Sequence, residues 1–513
     1  MKKVIQMAYL IGIDIGTSGT KTILFDEKGT CIASKTVEYP LYQPHNGWAE
    51  QDPEDWWRAT VEGLRAITAG IDTHEVRGIG LSGQMHGLVM LDADGKVLRR
   101  SIIWCDQRTG EECRELTQRV GAERLMEITK SPAVTGFTAS KILWVRNHEP
   151  DLFEKCKTIL LPKDYIRFRL TGERATEVSD ASGMQLMNIE KRCWSDEVLE
   201  KIGLDKSVLG HMYESVEVTG QVTESVANLT GLSSGTPVVG GAGDNAASAI
   251  GCGVVHDGDA FTTIGTSGVV FAHTRQLTVD PSGRIHSFCA AVPGEYHVMG
   301  VTQAAGLSLK WFRDQFCAPE KDLAGKMKLD PYQIMDDEAA KVSIGAGGLL
   351  YLPYLNGERT PYLDPDVRGA FLGLTPGHER AALIRAVMEG VAYSLRDCLS
   401  IFSGAGATVR TMRVCGGGSV SALWRQMLAD NMNLTVSTLT SNEGGALGAA
   451  ILASVGSGIY STLQQACDAI IRTKTTQDPI PEHVTQYKPY YDIYTRAYSA
   501  VRDISHALVG QLH

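Results

Sequence analysis

Two aspartates stand where glycine-rich turns meet apolar runs, and each has a setting suited to phosphoryl chemistry. Asp14 lies in Tyr9-Leu10-Ile11-Gly12-Ile13-Asp14-Ile15, directly ahead of Gly16-Thr17-Ser18-Gly19. A carboxylate facing a phosphate-type turn is costly unless a cation intervenes. Mg²⁺ fits that position, because it takes one or two carboxylates together with phosphates and waters. The alternative, a capped Asp turned to solvent, is disfavoured by the apolar strand around it. Asp244 lies in Gly240-Gly241-Ala242-Gly243-Asp244-Asn245-Ala246-Ala247. At the start of an apolar helix such an acid can be an N-cap. The same small-residue setting can hold a carboxylate rigidly in a cleft, where it accepts the proton of an alcohol attacking a phosphoryl group. From the residues alone both readings stay open.

The turn beside Asp14 has a second copy. Ala260-Phe261-Thr262-Thr263-Ile264 leads into Gly265-Thr266-Ser267-Gly268 and a further β-rich run, Val269-Val270-Phe271-Ala272. Turns of Gly, Thr and Ser expose backbone N–H groups and hydroxyls that suit phosphate oxygens. One such turn alone reads as an ordinary hairpin. Two matching copies point to a pair of turns, Gly16, Thr17 and Ser18 in one and Gly265, Thr266 and Ser267 in the other, clamping a polyphosphate between two domains. Gly416-Gly417-Gly418-Ser419, between a strand and a helix, is a third glycine cluster that could lie along a nucleotide, though a structural turn reads almost as well. The Gly-x4-Gly-Lys spacing of a P-loop is missing. So is a strand-following GxGxxG with a downstream acid, which argues against a dinucleotide enzyme.

These turns need elements to hold them. The two hairpin-like copies stand about half a chain apart, far beyond any solenoid period, and so predict two similar domains. Over the rest of the chain strand-like and helix-like stretches alternate. Residues 76–81 and 412–415 read as strands; 54–69, 381–403 and 421–433 read as helices, the first led by Asp52-Pro53. The alternation predicts an α/β chain with helix-flanked sheets. The glycine-dense stretch 233–259 is the expected crossover between the domains.

Composition narrows the function classes. A chain of 513 residues with 43% hydrophobic residues exceeds one core and fits about two large domains. No run approaches the roughly 18 apolar residues of a membrane span. Met1-Lys2-Lys3 and the apolar run behind it resemble a signal peptide, but Gln6 and Asp14 interrupt the run and no small-residue cleavage site follows, so residues before Tyr9 are expected to be a loose leader. A net charge of −10 argues against a nucleic-acid surface. The eleven scattered cysteines, without a CxxC pair or zinc spacing, read as reduced thiols of the cytoplasm.

From about Tyr9 to about Gly456 the chain resembles the FGGY family of carbohydrate kinases. The residues that carry the resemblance are Gly12 to Ser18, Trp48-Ala49-Glu50-Gln51-Asp52-Pro53, Ser82-Gly83-Gln84-Met85-His86-Gly87, Ile103-Trp104-Cys105-Asp106-Gln107-Arg108, Gly136 to Val145, Leu161-Pro162-Lys163-Asp164-Tyr165, Gly243 to Ala246, Leu352 to Pro361 and Gly445 to Ala450. The Lys141/Trp144 stretch and Gln-Met-His-Gly are the most specific. The resemblance implies two ribonuclease H-like domains of the actin/hexokinase type around a deep interdomain cleft, over residues 9–252 and 253–513. It implies ATP and Mg²⁺, with Asp244 as proton acceptor, Asp14 near the metal, and Gly416 and Gly417 along the nucleotide. Met85 and His86 match the sugar-contacting segment; Trp104, Asp106 and Asn245 are further sugar-site candidates by motif position. The implied reaction is phosphorylation of D-xylulose at its 5-hydroxyl. Ribulose, gluconate or glycerol kinases are the neighbouring readings, and an actin-like ATPase is the rival from another class. The expected partners are sugar and ATP, without nucleic acid or membrane; a homodimer is left open. One departure stands at Ala382, where the family usually carries a polar or acidic residue ahead of a helix.

Overall fold

The computed structural model describes residues 8–511. The expected leader ahead of Tyr9 lies, apart from Ala8, outside the described residues.

The repeat seen in sequence is a repeat of sheets. In the first half, β1 (Tyr9–Ile15), β2 (Gly19–Asp26) and β3 (Cys31–Glu38) form an antiparallel meander. Next to β1 runs parallel β4 (Val76–Gly83), and next to β4 parallel β5 (Pro237–Val239). In the second half, β6 (Asp259–Ile264), β7 (Gly268–Thr274) and β8 (Tyr296–Thr302) form the meander. β9 (Thr411–Cys415) lies parallel to β6, and β10 (Thr435–Leu439) parallel to β9. The central order is therefore β5-β4-β1-β2-β3 once and β10-β9-β6-β7-β8 once, each sheet extended by edge strands. The chain has two such α/β domains around a cleft.

The helices that position the site are α1 (Pro53–Thr68), α2 (Thr138–His148), α3 (Pro162–Thr171), α4 (Asp244–Gly251), α5 (Gly306–Phe316), α6 (Arg380–Gly404), α7 (Ala422–Met432) and α8 (Gly444–Gly456). Their ends follow capping chemistry. The Asp52 carboxylate accepts the N–H of Glu54 with Pro53 in the first turn of α1, and the Ser421 hydroxyl accepts the N–H of Trp424 to start α7. Asn433 closes α7 in the left-handed region, φ 53°. Ala382 does not precede its helix: α6 begins at Arg380, so Ala382 is a buried interior residue and no cap is missing there.

Each sheet buries its own core. Ile11, Ile13, Leu24, Trp56 and Leu64 pack together in the first half, and Ala260, Val270, Val298, Val387 and Leu428 in the second. The two halves then exchange helices. α8 follows β10 of the second sheet in sequence but lies on the first: a Cβ on Gly12 would sit 1.9 Å from the Ala446 carbonyl oxygen. α4 follows the first sheet, yet its Ala249 packs with Phe261, Phe271 and Leu439 of the second. The two helices touch backbone to backbone, since a Cβ on Gly448 would meet the Ala247 carbonyl at 1.8 Å. This pair forms the floor of the cleft, and α4 carries Asp244 as its first residue. Among the described residues no helix is long and apolar enough to cross a membrane.

Candidate active site

The two Gly-Thr-Ser-Gly turns close the β1–β2 and β6–β7 hairpins. The N–H of Gly16 donates to the Gly19 carbonyl (3.1 Å) and that of Gly265 to the Ser267 carbonyl (3.1 Å), so these two donors are consumed by the turns themselves. The donors left without a protein acceptor among the described residues are the N–H groups of Thr17, Ser18, Thr266 and Ser267. Both turns are held from behind. Gln51 Nε2 donates to the Thr17 carbonyl (2.6 Å), and the first-turn N–H groups of Ala305 and Gly306 donate to the carbonyls of Thr266 (3.0 Å) and Gly265 (2.7 Å).

Asp14 points from β1 toward the start of α8, where a Cβ on Gly445 would come within 2.8 Å of Oδ2. The Ser82 hydroxyl donates to its Oδ1 (2.7 Å), and Oδ2 has no hydrogen bond among the described residues. Burial raises its pKa, opposed by Ser82 and by Lys21, which is itself ion-paired to Glu443. The carboxylate is thus only partly satisfied by the protein.

Asp244 is the first residue of α4, not its cap; Gly243 holds the cap position. Its Oδ1 accepts the backbone N–H of Asn245 (2.7 Å) and Asn245 Nδ2 (3.0 Å). Burial, and then the negative field of Asp14, push its pKa up to about 7. A charged network fixes the chain that leads into it. Arg167 Nη1 donates to the Gly240 carbonyl (2.9 Å), and the Gly243 N–H donates to the Ser179 hydroxyl (3.2 Å), which in turn donates to Glu177. Lys163 lies 2.6 Å from Asp164 and 3.3 Å from both Glu177 and Asp180, all buried. Three acids share two bases, and burial holds the Asp180 carboxyl well above the usual carboxylate range.

Beside Asp244 opens a cavity of about 240 Å³, lined on the first-half side by Met85, His86, Trp104, Phe137 and Asn245. Four sugar-site candidates, Met85, His86, Trp104 and Asn245, thus meet Asp244 in one space. His86 adopts a left-handed backbone, φ 69°, held by Lys141 Nζ on its carbonyl (2.8 Å). Its ring stacks on Phe137 with centroids 4.1 Å apart, and Nδ1 lies 3.0 Å from the Gly183 carbonyl. Burial and the nearby Lys141 hold its pKa well below the usual value, so the ring is neutral, Nδ1 donates, and Nε2 is the free acceptor. Trp104 is 48% exposed and donates from Nε1 to the Thr17 hydroxyl (2.9 Å), tying its loop to the Gly16–Gly19 turn. Asp106 does not join them. It is fully buried and its oxygens accept the Ala49 N–H (2.6 Å) and the Arg108 guanidinium, so it braces the Trp104 loop from behind.

The family's N-terminal domain matches residues 9–251 and its C-terminal domain residues 260–457. The chain belongs to the FGGY family of carbohydrate kinases. The xylulose kinase of Bacillus subtilis (strain 168) is 41% identical over 504 residues, covering 98% of this chain and 99% of that protein. The gluconokinase of the same organism is 32% identical, covering 95% of each. A crystal structure of the xylulose kinase from Rhodospirillum rubrum superposes with a TM-score of 0.90 at 31% identity, covering 97% of this chain and 100% of that one.

In this kinase the second half also lines the cavity beside Asp244, through Ser267, Val269, His286, Met299, Val301 and Arg359. Arg359 and His286 carried no signal in the residue pattern beyond the motif that contains Arg359. Among the described residues the Arg359 side chain has no hydrogen bond or ion pair, while its backbone is fixed. Glu358 Oε1 accepts the N–H of Arg359 (2.8 Å) and of Gln303 (2.9 Å), and the Thr360 N–H donates to Val301 (2.9 Å). The Gly416–Ser419 turn separates two further cavities. One of about 460 Å³ is lined by Gly265, Thr266, Gly306, Leu307, Tyr332 and Trp424. The other, of about 700 Å³, is lined by Gly416, Gly417, Cys252, Cys415, Asn442 and Lys474.

Proposed function

We propose that this kinase transfers the γ-phosphoryl group of ATP to the 5-hydroxyl of D-xylulose, releasing D-xylulose 5-phosphate and ADP. The observation that carries the reading is the buried Asp244 carboxylate facing a cavity that the sugar-segment residues and the phosphate turn share. Asp244 orients the acceptor hydroxyl and takes its proton as the O–P bond forms. The neutral His86 accepts a sugar hydroxyl at Nε2, and Asn245 and Met85 complete that wall. Arg359 donates to the acceptor from across the cleft, which favours a liganded, closed state. The N–H groups of Thr17, Ser18, Thr266 and Ser267 hold phosphate oxygens. The base lies in the 460 Å³ cavity, whose Leu307, Tyr332 and Trp424 offer apolar faces directly behind Thr266, with Gly417 and Gly418 in its lining and Gly416 on the other side of the turn.

Asp14 suits Mg²⁺, because one oxygen is committed to Ser82 and the other is open. A bound Mg²⁺ would supply charge neutralisation at the β- and γ-phosphates. Its field also favours the ionised form of Asp244. Residues 9–252 and 253–513 act as the two moving bodies, with the α4/α8 pair as the pivot. The full-length likeness to xylulose kinases favours D-xylulose over the other acceptors. The eleven free cysteines suit a reducing compartment such as the cytoplasm.

The test is ADP release measured across D-xylulose, D-ribulose, D-gluconate and glycerol. D-xylulose should give the highest kcat/KM, by about tenfold or more. A higher value for gluconate or glycerol overturns the acceptor assignment. Phosphate release that is independent of sugar would favour the ATPase reading.

A further inference from the structure

Cys252 and Cys415 come from distant parts of the chain and meet with their Sγ atoms 3.4 Å apart. Cys252 closes α4, its N–H donating to the carbonyls of Ser248 and Ala249. Cys415 is the last residue of β9, directly before Gly416. Both line the 700 Å³ cavity, which gives small solutes a route to them. The other nine cysteines have no thiol neighbour within bonding distance among the described residues. Electrostatics separates the two sulfurs. The Cys252 thiol donating to it, and the Arg413 guanidinium beyond, draw the Cys415 thiol below its usual range, while its partner is held well above. Arg413 Nη1 is buried without a hydrogen bond and lies 3.8 Å from the Asp259 carboxylate, a loose ion pair that leaves the guanidinium beside Cys415.

We propose that Cys252 and Cys415 form a peroxide-sensitive thiol pair whose disulfide displaces the Gly416–Gly417 turn and weakens ATP use. The Cys415 thiolate attacks a peroxide oxygen, the O–O bond breaks, and Cys415 becomes a sulfenic acid as hydroxide leaves and is protonated to water. The Cys252 sulfur then attacks the sulfenic sulfur, the S–O bond breaks, and a second water leaves. Overall, two thiols and one hydrogen peroxide give one disulfide and two waters, and an external dithiol reverses the change. A disulfide needs about 2.05 Å between sulfurs, so bonding brings the two Sγ atoms more than an ångström closer and ties the end of β9 to the end of α4. Gly416, the next residue, sits at φ 80° closely packed on the Ile264 backbone, where a Cβ would stand 2.9 Å from the carbonyl oxygen, so the new tie lies directly beside the turn.

The experiment treats the full-length kinase with hydrogen peroxide, blocks free thiols and maps the peptides by mass spectrometry, with kcat/KM for ATP measured before and after. A Cys252–Cys415 disulfide should form while kcat/KM for ATP falls about tenfold or more and recovers with dithiothreitol. Cys252→Ser and Cys415→Ser should each abolish the peroxide effect, and Cys252→Ser should leave Cys415 trapped as a sulfenic acid by dimedone. Should a serine variant fold poorly, Cys252→Ala serves in its place. The proposal is overturned if the exposed Cys31 and Cys193 oxidise while this pair does not link. Linkage without change in ATP use, or equal inactivation of the variants, overturns it as well. ADP binding by calorimetry gives the same readout without any sugar, so a wrong acceptor assignment cannot mimic failure here.

Discussion

Asp244 carries opposite demands from stability and from catalysis. Its pKa is raised to about 7 by burial first and by Asp14 second, whereas an unfolded chain holds an Asp near 3.8. Between those values the folded state binds a proton that the unfolded state has lost. The associated stability is complete below about 3.8 and is lost as pH rises through about 7. Asp244→Asn should therefore melt a few degrees above wild type at pH 8, and scanning calorimetry should show the gap narrowing toward pH 4. Catalysis needs the ionised form, so kcat/KM should fall on the acid side with an apparent pKa near 7. Asp14→Asn removes the second cause and should move that limb to lower pH, on top of its lower activity; an unmoved limb would mean the two carboxylates do not interact. Both acids were legible in the sequence because each interrupts an apolar or small-residue run. Asp106 was misplaced because a motif position does not reveal that Arg108, two residues on, would claim its oxygens. Arg359 and His286 could not be read as cleft residues, since nothing local says which way a loop residue faces across a domain boundary.

At the scale of elements the chemistry depends on close backbone approach. α8 seats on β1 only because Gly12 has no side chain. Gly12→Val places atoms inside 2 Å of the Ala446 carbonyl and should destabilise the protein by about 1–3 kcal/mol or more in urea titration. Its activity loss should exceed that of an equally destabilising change in the Ala260–Val270 core, because α8 also presents its first turn to Asp14. The hairpins, α1 and α7 were legible from turn glycines, Asp52-Pro53 and Ser421, which act locally. The crossing of α4 and α8 between halves was not, because a helix of small apolar residues reads identically whichever sheet it covers. The buried Lys163–Asp164–Glu177–Asp180 network was likewise hidden, since its members lie 1 to 17 residues apart without a periodic pattern.

For the whole molecule, the acceptor cavity is complete only when both halves face it. Trp104 stands half-exposed in the cleft and is bonded to the Thr17 hydroxyl, so its environment should report closure. Sugar should change tryptophan fluorescence in the wild type but not in Trp104→Phe. Arg359→Gln should raise the sugar KM about tenfold or more while leaving the KM for ATP within about twofold; equal changes in both would mean that Arg359 only maintains the loop. Two domains were foreseeable from the repeated hairpin half a chain apart. Their mutual placement rests on the exchanged helices, and so on contacts no single segment encodes.

The most direct measurement of the central claim compares wild type with Asp244→Ala, following ADP release with D-xylulose and ADP binding by calorimetry on the same preparations. The account predicts that turnover falls by about three orders of magnitude or more while ADP affinity stays within a few-fold of wild type. An Asp244→Ala kinase that still phosphorylates the sugar at a comparable rate would contradict it.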